Sequence, residues 1–392
     1  MRSIKDELNL KQKKILLRLD LNVPLDNERI TDSTRIDKIL PTIKFLLKND
    51  SKIIILSHVG RPKGKIVNGL SLKPICENLK KKLNENIKLI TKNLKEIDSS
   101  DLFSDPDEKI VILENLRFYP EEEENNNEFA KHLASLADIY VNDAFSCSHR
   151  AHASIFEITK FIPSYAGLQL NLEIDALTKI TSEIQRPITC IIGGSKISSK
   201  INIIKNLIAK FDNIIIVGGM ANNLLRYKGY EIGKSIQEDN CDKIIEEIFS
   251  LSKKENCKII YPEDVAVGKN LDGSAEIKEL NNISKDELIL DIGPKTIKAI
   301  NLLIEESSTI LWNGPAGYFE NPNFAKGSIE IAKKIIEKNK NNTIYSVAGG
   351  GDTVSLLNGI GAINNFNFVS TAGGAFLEYL EGKELPGIKA LN

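Results

Sequence analysis

The sequence predicts an α/β protein: two doubly wound, Rossmann-like domains built on parallel sheets and joined by a helix and hinge. Three observations carry this expectation. At 392 residues the chain is long for one hydrophobic core. Short runs rich in Ile, Val and Leu recur from end to end, as in strands buried on both faces, and alternate with longer stretches of helical spacing. Nearly every apolar run stops at a glycine or a chemically capable side chain, where open parallel sheets bind ligands.

In the first half, strands are expected at 15–19, 53–56, 110–113 and 139–141, with an extra one around 87–90. In the second half they fall at 188–192, 214–217, 259–261, 310–312, 344–347 and 366–369. Helical spacing marks 36–47, 128–136, 200–210, 241–251 and 324–338. A helix over 170–184, apolar at 170, 172, 174, 177, 180 and 184, reads as the connector, so the domain boundary falls between Pro163 and Pro187. The acidic run 121–124 reads as a solvated loop.

Composition narrows the function. Hydrophobic content of 42% and charged content of 27% are ordinary for a soluble globular protein. A net charge of −1 argues against a nucleic-acid partner. Cys76, Cys147, Cys190, Cys241 and Cys257 form no Cys-x-x-Cys pair, which reads as reduced thiols and not as a disulfide frame or zinc site. Residues 1–14 lack an apolar stretch of the secretory type, and no run approaches the roughly 18 residues that span a bilayer. A cytoplasmic monomer with no membrane contact is the expectation, and the sequons at Asn282 and Asn341 read as chance.

The first-half strand ends carry arginine, histidine, asparagine and aspartate: Arg18-Leu19-Asp20-Leu21-Asn22-Val23-Pro24, Ser57-His58-Val59-Gly60-Arg61-Pro62, Glu114-Asn115-Leu116-Arg117 and Asn142-Asp143-Ala144-Phe145, the last leading to His149-Arg150-Ala151-His152. Any one arginine alone reads as a surface residue. Arg35, Arg61, Arg117 and Arg150 together, each at a strand exit or the loop after it, read as a site for a small, highly anionic ligand, because guanidinium forks pair with carboxylate or phosphate oxygens. His58 reads as an anion contact, whereas His149 and His152 fit a structural role equally well. Cys147 reads as a passive small residue, with a reactive thiol as the lesser reading.

The second-half strand ends carry glycine pairs and triplets. Gly193-Gly194-Ser195-Lys196-Ile197-Ser198-Ser199-Lys200 joins a strand to a helix start with two lysines one turn apart. Glycine lets backbone N–H groups approach phosphate oxygens, and a helix N-terminus favours anions. Neither a Walker A loop nor a dinucleotide fingerprint is present. Gly218-Gly219, Trp312-Asn313-Gly314-Pro315, Gly349-Gly350-Gly351-Asp352-Thr353 and Ala372-Gly373-Gly374 repeat the theme. There Asp352 suits a hard cation and Thr353 a phosphate.

These motifs, with Asp291–Thr296 and the ending Leu385-Pro386-Gly387-Ile388, resemble phosphoglycerate kinase in order and over the whole chain. The resemblance implies a substrate domain at 1–169, a connector at 170–186, a nucleotide domain at 187–377 and a tail, 378–392, packing back on the first domain. It implies reversible Mg2+-dependent phosphoryl transfer between 1,3-bisphosphoglycerate and ADP, giving 3-phosphoglycerate and ATP. The glycerate ligand would meet Asp20, Asn22, Arg35, His58, Arg61, Arg117 and Arg150. The nucleotide would lie on Gly194, Lys196, Lys200, Asn313, Pro315, Glu320, Gly349, Gly350, Gly351, Asp352 and Thr353, with Glu320 at the ribose and Asp352 at the metal. Arg35, Lys196 and the Gly373 and Gly374 N–H groups would hold the transferring phosphoryl as a hinge closes. Ala372 stands where the family usually has a glycine, Ser199 where it has threonine, and Tyr318 where it has a smaller aliphatic residue beside the base. Two rival readings stay open: a kinase of another small carboxylate, and a non-catalytic binding protein on the same fold.

Overall fold

The computed structural model describes residues 1–105 and 107–392. Two compact units make up the chain: Met1–Asp175 with Glu384–Asn392, and Ala176–Lys383.

The first unit contains β1 (Lys14–Leu19), the small hairpin β2 (Leu25–Asp26) and β3 (Arg29–Ile30), then β4 (Lys52–Leu56), β5 (Ile87–Ile90), β6 (Ile110–Leu113), β7 (Ile139–Asp143) and β8 (Ser164–Ala166). Apart from the hairpin these strands form one parallel sheet in the order β5-β6-β4-β1-β7-β8. The apolar runs are continuous because each feeds two cores. Ile15, Leu17, Ile53, Ile55 and Val141 enter the core on one face, whereas Leu16, Ile54, Leu56, Val111 and Tyr140 enter the core on the other. Helices α1 (Thr34–Lys48), α2 (Lys73–Leu83), α3 (Ser99–Leu102), α4 (Pro120–Glu123) and α5 (Asn127–Ala134) lie in the connections, and α6 (Leu168–Thr181) leads out of the unit.

In the second unit, β9 (Ile188–Ile192), β10 (Asn213–Ile216) and β11 (Lys258–Ile260) precede β12 (Asp264–Gly268), β13 (Glu276–Glu279) and β14 (Leu288–Ile292); β15 (Thr309–Asn313), β16 (Tyr345–Gly349) and β17 (Phe368–Ser370) follow. The parallel sheet runs β11-β10-β9-β15-β16-β17. Its helices are α7 (Ile201–Ile208), α8 (Gly219–Tyr227), α9 (Asp242–Lys254), α10 (Pro294–Glu306), α11 (Lys326–Lys340), α12 (Gly351–Gly359) and α13 (Gly374–Leu380); α14 (Pro386–Lys389) belongs to the returning chain end.

The two parallel sheets agree with the expected class, and several element ends move. The strand expected at 366–369 is β17, and the helix expected at 170–184 is α6. A three-stranded antiparallel sheet, β13-β12-β14, was not foreseen. Glu276–Glu279 is mostly exposed and charged, so it offers no apolar run to read. The acidic run is not simply a solvated loop: its first three residues lie in α4, and Glu122 is only 1% exposed.

Candidate active site

At the carboxyl end of β1 the chain turns through Asp20 and Asn22, and α1 places Arg35 against them. Arg35 Nη1 lies 3.0 Å from Asp20 Oδ2 and donates to the Asn22 carbonyl at 3.1 Å. Ser146, from the loop after β7, donates to Asp20 Oδ2 at 2.5 Å. Asn22 Oδ1 accepts from Gly60 N at 2.9 Å, and Arg117 Nη1 donates to the Gly60 carbonyl at 3.1 Å. One hydrogen-bonded chain therefore runs from Arg35 to Arg117 across the β1, β4 and β6 ends. Arg117 is buried, Arg61 is exposed, and Arg150 donates to His149 Nε2 at 3.2 Å.

His58 and His152 are buried among these arginines. Burial pushes the His58 imidazole well below its ordinary value, and Arg18, Arg117, His152 and Arg35 add to the effect. Burial, with Arg117, Arg18, Arg150 and His149, pushes His152 down to about 3. Both rings are neutral near pH 7, so the positive field comes from the guanidinium groups. His149 is half-buried. Cys147 is 5% exposed, and burial raises its thiol, consistent with the passive reading.

In the second unit the expected residues gather at the ends of β9, β15 and β16. Asn313 Nδ2 donates to the Gly349 carbonyl at 2.7 Å, and Lys200 Nζ donates to Asn313 Oδ1. Gly193 N donates to the Asn313 carbonyl at 2.8 Å, and Gly314 N to Thr353 Oγ1 at 2.7 Å. Gly350 has φ of +97°, and a Cβ there would lie 2.5 Å from Asn313 Nδ2, so both backbone and space require glycine. Burial pushes the Lys200 amine below its usual value, partly opposed by Cys190 and Asp352. Lys196 is exposed on the loop before α7. Gly373, at φ +57°, caps α13, which opens at Gly374.

Beside the glycines lies a cavity of about 560 Å³, lined by Gly194, Leu290, Pro315, Tyr318, Phe319, Glu320 and Asp352 among others. Its mixed apolar and polar wall suits a flat heterocycle with a polar tail. Asp352 opens the first turn of α12 and is exposed. Among the described residues no group of three or more His, Cys, Asp or Glu could hold a metal by itself. A single carboxylate at a phosphate-ready turn fits a hard cation that takes its other ligands from phosphate oxygens and water.

Several residues behind these sites were not legible as site residues. Arg18 is 1% exposed and meets His58 Nδ1 at 3.1 Å. Glu122 accepts from Ser154 N at 2.9 Å and Ser154 Oγ at 2.6 Å. Asp291, buried beside the cavity, accepts from Gly327 N at 2.7 Å and Ile292 N at 2.8 Å. Arg18 closes an apolar run, which is a usable signal; Glu122 has none within its run of glutamates.

A family model described as phosphoglycerate kinase matches residues 5–383. A phosphoglycerate kinase of Wolbachia pipientis subsp. Culex pipiens (strain wPip) is 46% identical over 380 residues, 96% of this chain and 96% of that protein. One from Methylorubrum extorquens (strain PA1) is 43% identical over 392 residues, 100% of this chain and 98% of that protein. The solved phosphoglycerate kinase of Coxiella burnetii aligns with a TM-score of 0.90 at 39% identity, covering 99% of this chain and 98% of its own. That of Pyrococcus horikoshii OT3 aligns with a TM-score of 0.82 at 27% identity, covering 100% and 98%. Among the described residues no helix is long and apolar enough to cross a membrane. The chain belongs to the phosphoglycerate kinase family.

Proposed function

We propose that this chain is a glycolytic phosphoglycerate kinase that transfers a phosphoryl group reversibly between 1,3-bisphosphoglycerate and ADP, giving 3-phosphoglycerate and ATP. The observation that carries the reading is the division of labour between two parallel sheets. Strand ends in one unit carry arginines and neutral histidines, whereas those in the other carry glycine turns beside a cavity of about 560 Å³. The first suits a small polyanion and the second a nucleotide.

In the direction of ATP use, a carboxylate oxygen of 3-phosphoglycerate forms the new O–P bond as the bond from the γ-phosphorus to ADP breaks. The carboxylate is already ionised near neutral pH, so no general base is required. What remains is alignment and neutralisation of transition-state charge. Asp20, Asn22, His58, Arg61, Arg117 and Arg150 bind and orient the glycerate. Arg35, Lys196 and the Gly373 and Gly374 N–H groups stabilise the transferring phosphoryl. Lys200, with Asn313, Pro315, Gly194 and the 349–353 turn, holds the phosphates, and Glu320 the ribose. Asp352 is the protein ligand for Mg2+, which when bound neutralises phosphate charge. Direct transfer must exclude water, and closure about residues 168–172 serves that need. We further propose a monomer acting in the cytoplasm.

The test is a coupled assay with 3-phosphoglycerate, ATP and Mg2+, following NADH consumption through an added dehydrogenase. Turnover is expected, with loss when Mg2+ is chelated and collapse in Lys200→Ala. Folded protein that binds ATP but turns over only a different carboxylate, or none, overturns the assignment.

A further inference from the structure

We propose that Arg18 is a positioning residue that fixes the His58 imidazole as the neutral Nε2–H tautomer, so that the ring donates a hydrogen bond to the anionic substrate. The donation to substrate rests on the function proposed above; the fixing of the tautomer does not.

The geometry leaves Arg18 no route to a ligand. It is 1% exposed. Its Nε donates to Ser154 Oγ at 2.9 Å and its Nη1 to the Leu19 carbonyl. Its Nη2 meets His58 Nδ1 at 3.1 Å and Cys147 Sγ at 3.7 Å. A guanidinium carries only donors and keeps its charge in proteins. The nitrogen facing it must therefore accept through its lone pair, and the ring proton must sit on Nε2. The flipped ring would set a carbon against the donor, and the doubly protonated ring would set N–H against N–H between two cations.

The surroundings reinforce this state. The charged and titratable groups acting on His58 are Arg18 on β1, Arg117 after β6, His152 after β7 and Arg35 on α1. Asp20, beside them, is held by Arg35 and Ser146. Behind Arg18, Ser154 Oγ donates to Glu122 Oε1 at 2.6 Å, and the Glu122 carboxylate acts on the guanidinium electrostatically. Arg18 therefore donates in both directions, to Ser154, which in turn donates to the buried Glu122 carboxylate, and to the neutral His58 ring. A neutral donor can meet a polyanion without changing its own protonation as pH varies, while the arginines supply the charge.

The full chain labelled with 15N-histidine tests this in the absence of ligand. Its four histidines give separable long-range proton–nitrogen patterns, with His58 assigned through His58→Gln. The expected His58 pattern is bare Nδ1 and protonated Nε2, constant between about pH 5 and 8, the window in which an ordinary histidine titrates. A protonated Nδ1, or a titration inside that window, overturns the proposal. In Arg18→Met the fixed pattern should give way to mixed tautomers or a titration. The KM for 3-phosphoglycerate should then become pH-dependent, while kcat follows the wild-type pH profile. An unchanged His58 pattern in a folded Arg18→Met chain also overturns the proposal. If that variant does not fold, the wild-type spectrum still decides. The expected tautomer with no response of Nε2 to 3-phosphoglycerate leaves the Arg18–His58 pairing standing and removes the substrate assignment of His58.

Discussion

Arg35 reaches Asp20 and the Asn22 carbonyl through the same nitrogen, Nη1, at 3.0 and 3.1 Å. A group braced in this way can present a fixed charge to a developing phosphoryl transition state without reorganising. Arg35→Ala is therefore expected to lower kcat by about 10²–10³-fold, with nucleotide affinity within severalfold of wild type, as steady-state kinetics and nucleotide titration would read. Turnover within severalfold of wild type would remove Arg35 from the transfer step. Glu122 acts on stability instead. Glu122→Ala leaves the Ser154 N–H and hydroxyl without their acceptor in a buried setting. It is expected to cost about 1–3 kcal/mol of unfolding free energy in urea, and an unchanged midpoint would contradict the network. The two residues also mark how far the sequence could be read. Arg35 stood out because it joined other arginines at strand exits. Glu122 did not, because its burial depends on Ser154, 32 residues further on, folding back over it.

At the level of elements, Asp291 ties the end of β14 to the start of α11: Oδ2 accepts from Gly327 N, and Oδ1 from the adjacent Ile292 N. Burial pushes this carboxyl from 3.8 up to about 7, although the two N–H groups and Lys326 act the other way. A folded value above the unfolded one means that the folded state binds the extra proton between those two limits. The associated stability is present at low pH and is lost as pH rises from about 4 towards 7. Asp291→Asn should flatten that part of the profile, read as urea midpoints across the same range; an unchanged slope would show that the carboxyl does not titrate there. The parallel strands around this region were legible because burial on both faces writes continuous apolar runs. In the β13-β12-β14 sheet the exposed Glu-Ile-Lys-Glu edge strand shows no apolar face, whereas β12 and β14 carry short apolar runs of their own that went unread.

Over the whole molecule, length and the change from arginine-rich to glycine-rich strand ends made two parallel-sheet units readable. Family resemblance alone implied that residues 378–392 return to the first domain, because so short a segment carries too little periodicity to show where it packs; 378–383 group with the second unit instead. Glu384–Asn392 lies in the first unit, where Gly387 N donates to the Ser148 carbonyl at 2.8 Å and Leu385 and Leu391 are buried. Ser148 immediately precedes His149 and Arg150, so the tail braces a loop of the proposed glycerate site. Deleting 384–392 exposes the sites of two leucines, worth about 3–6 kcal/mol at the usual value for a fully buried side chain. It also releases the Ser148 carbonyl. Lys200, Asn313 and the 349–353 turn lie in the second unit, which keeps its own core. The truncated chain is therefore expected to retain ATP binding within severalfold while losing most of its affinity for 3-phosphoglycerate, measured by calorimetry with each ligand alone. Equal loss of both would mean that the second unit also depends on the tail, and retention of both would mean that the 144–150 loop keeps its shape without it.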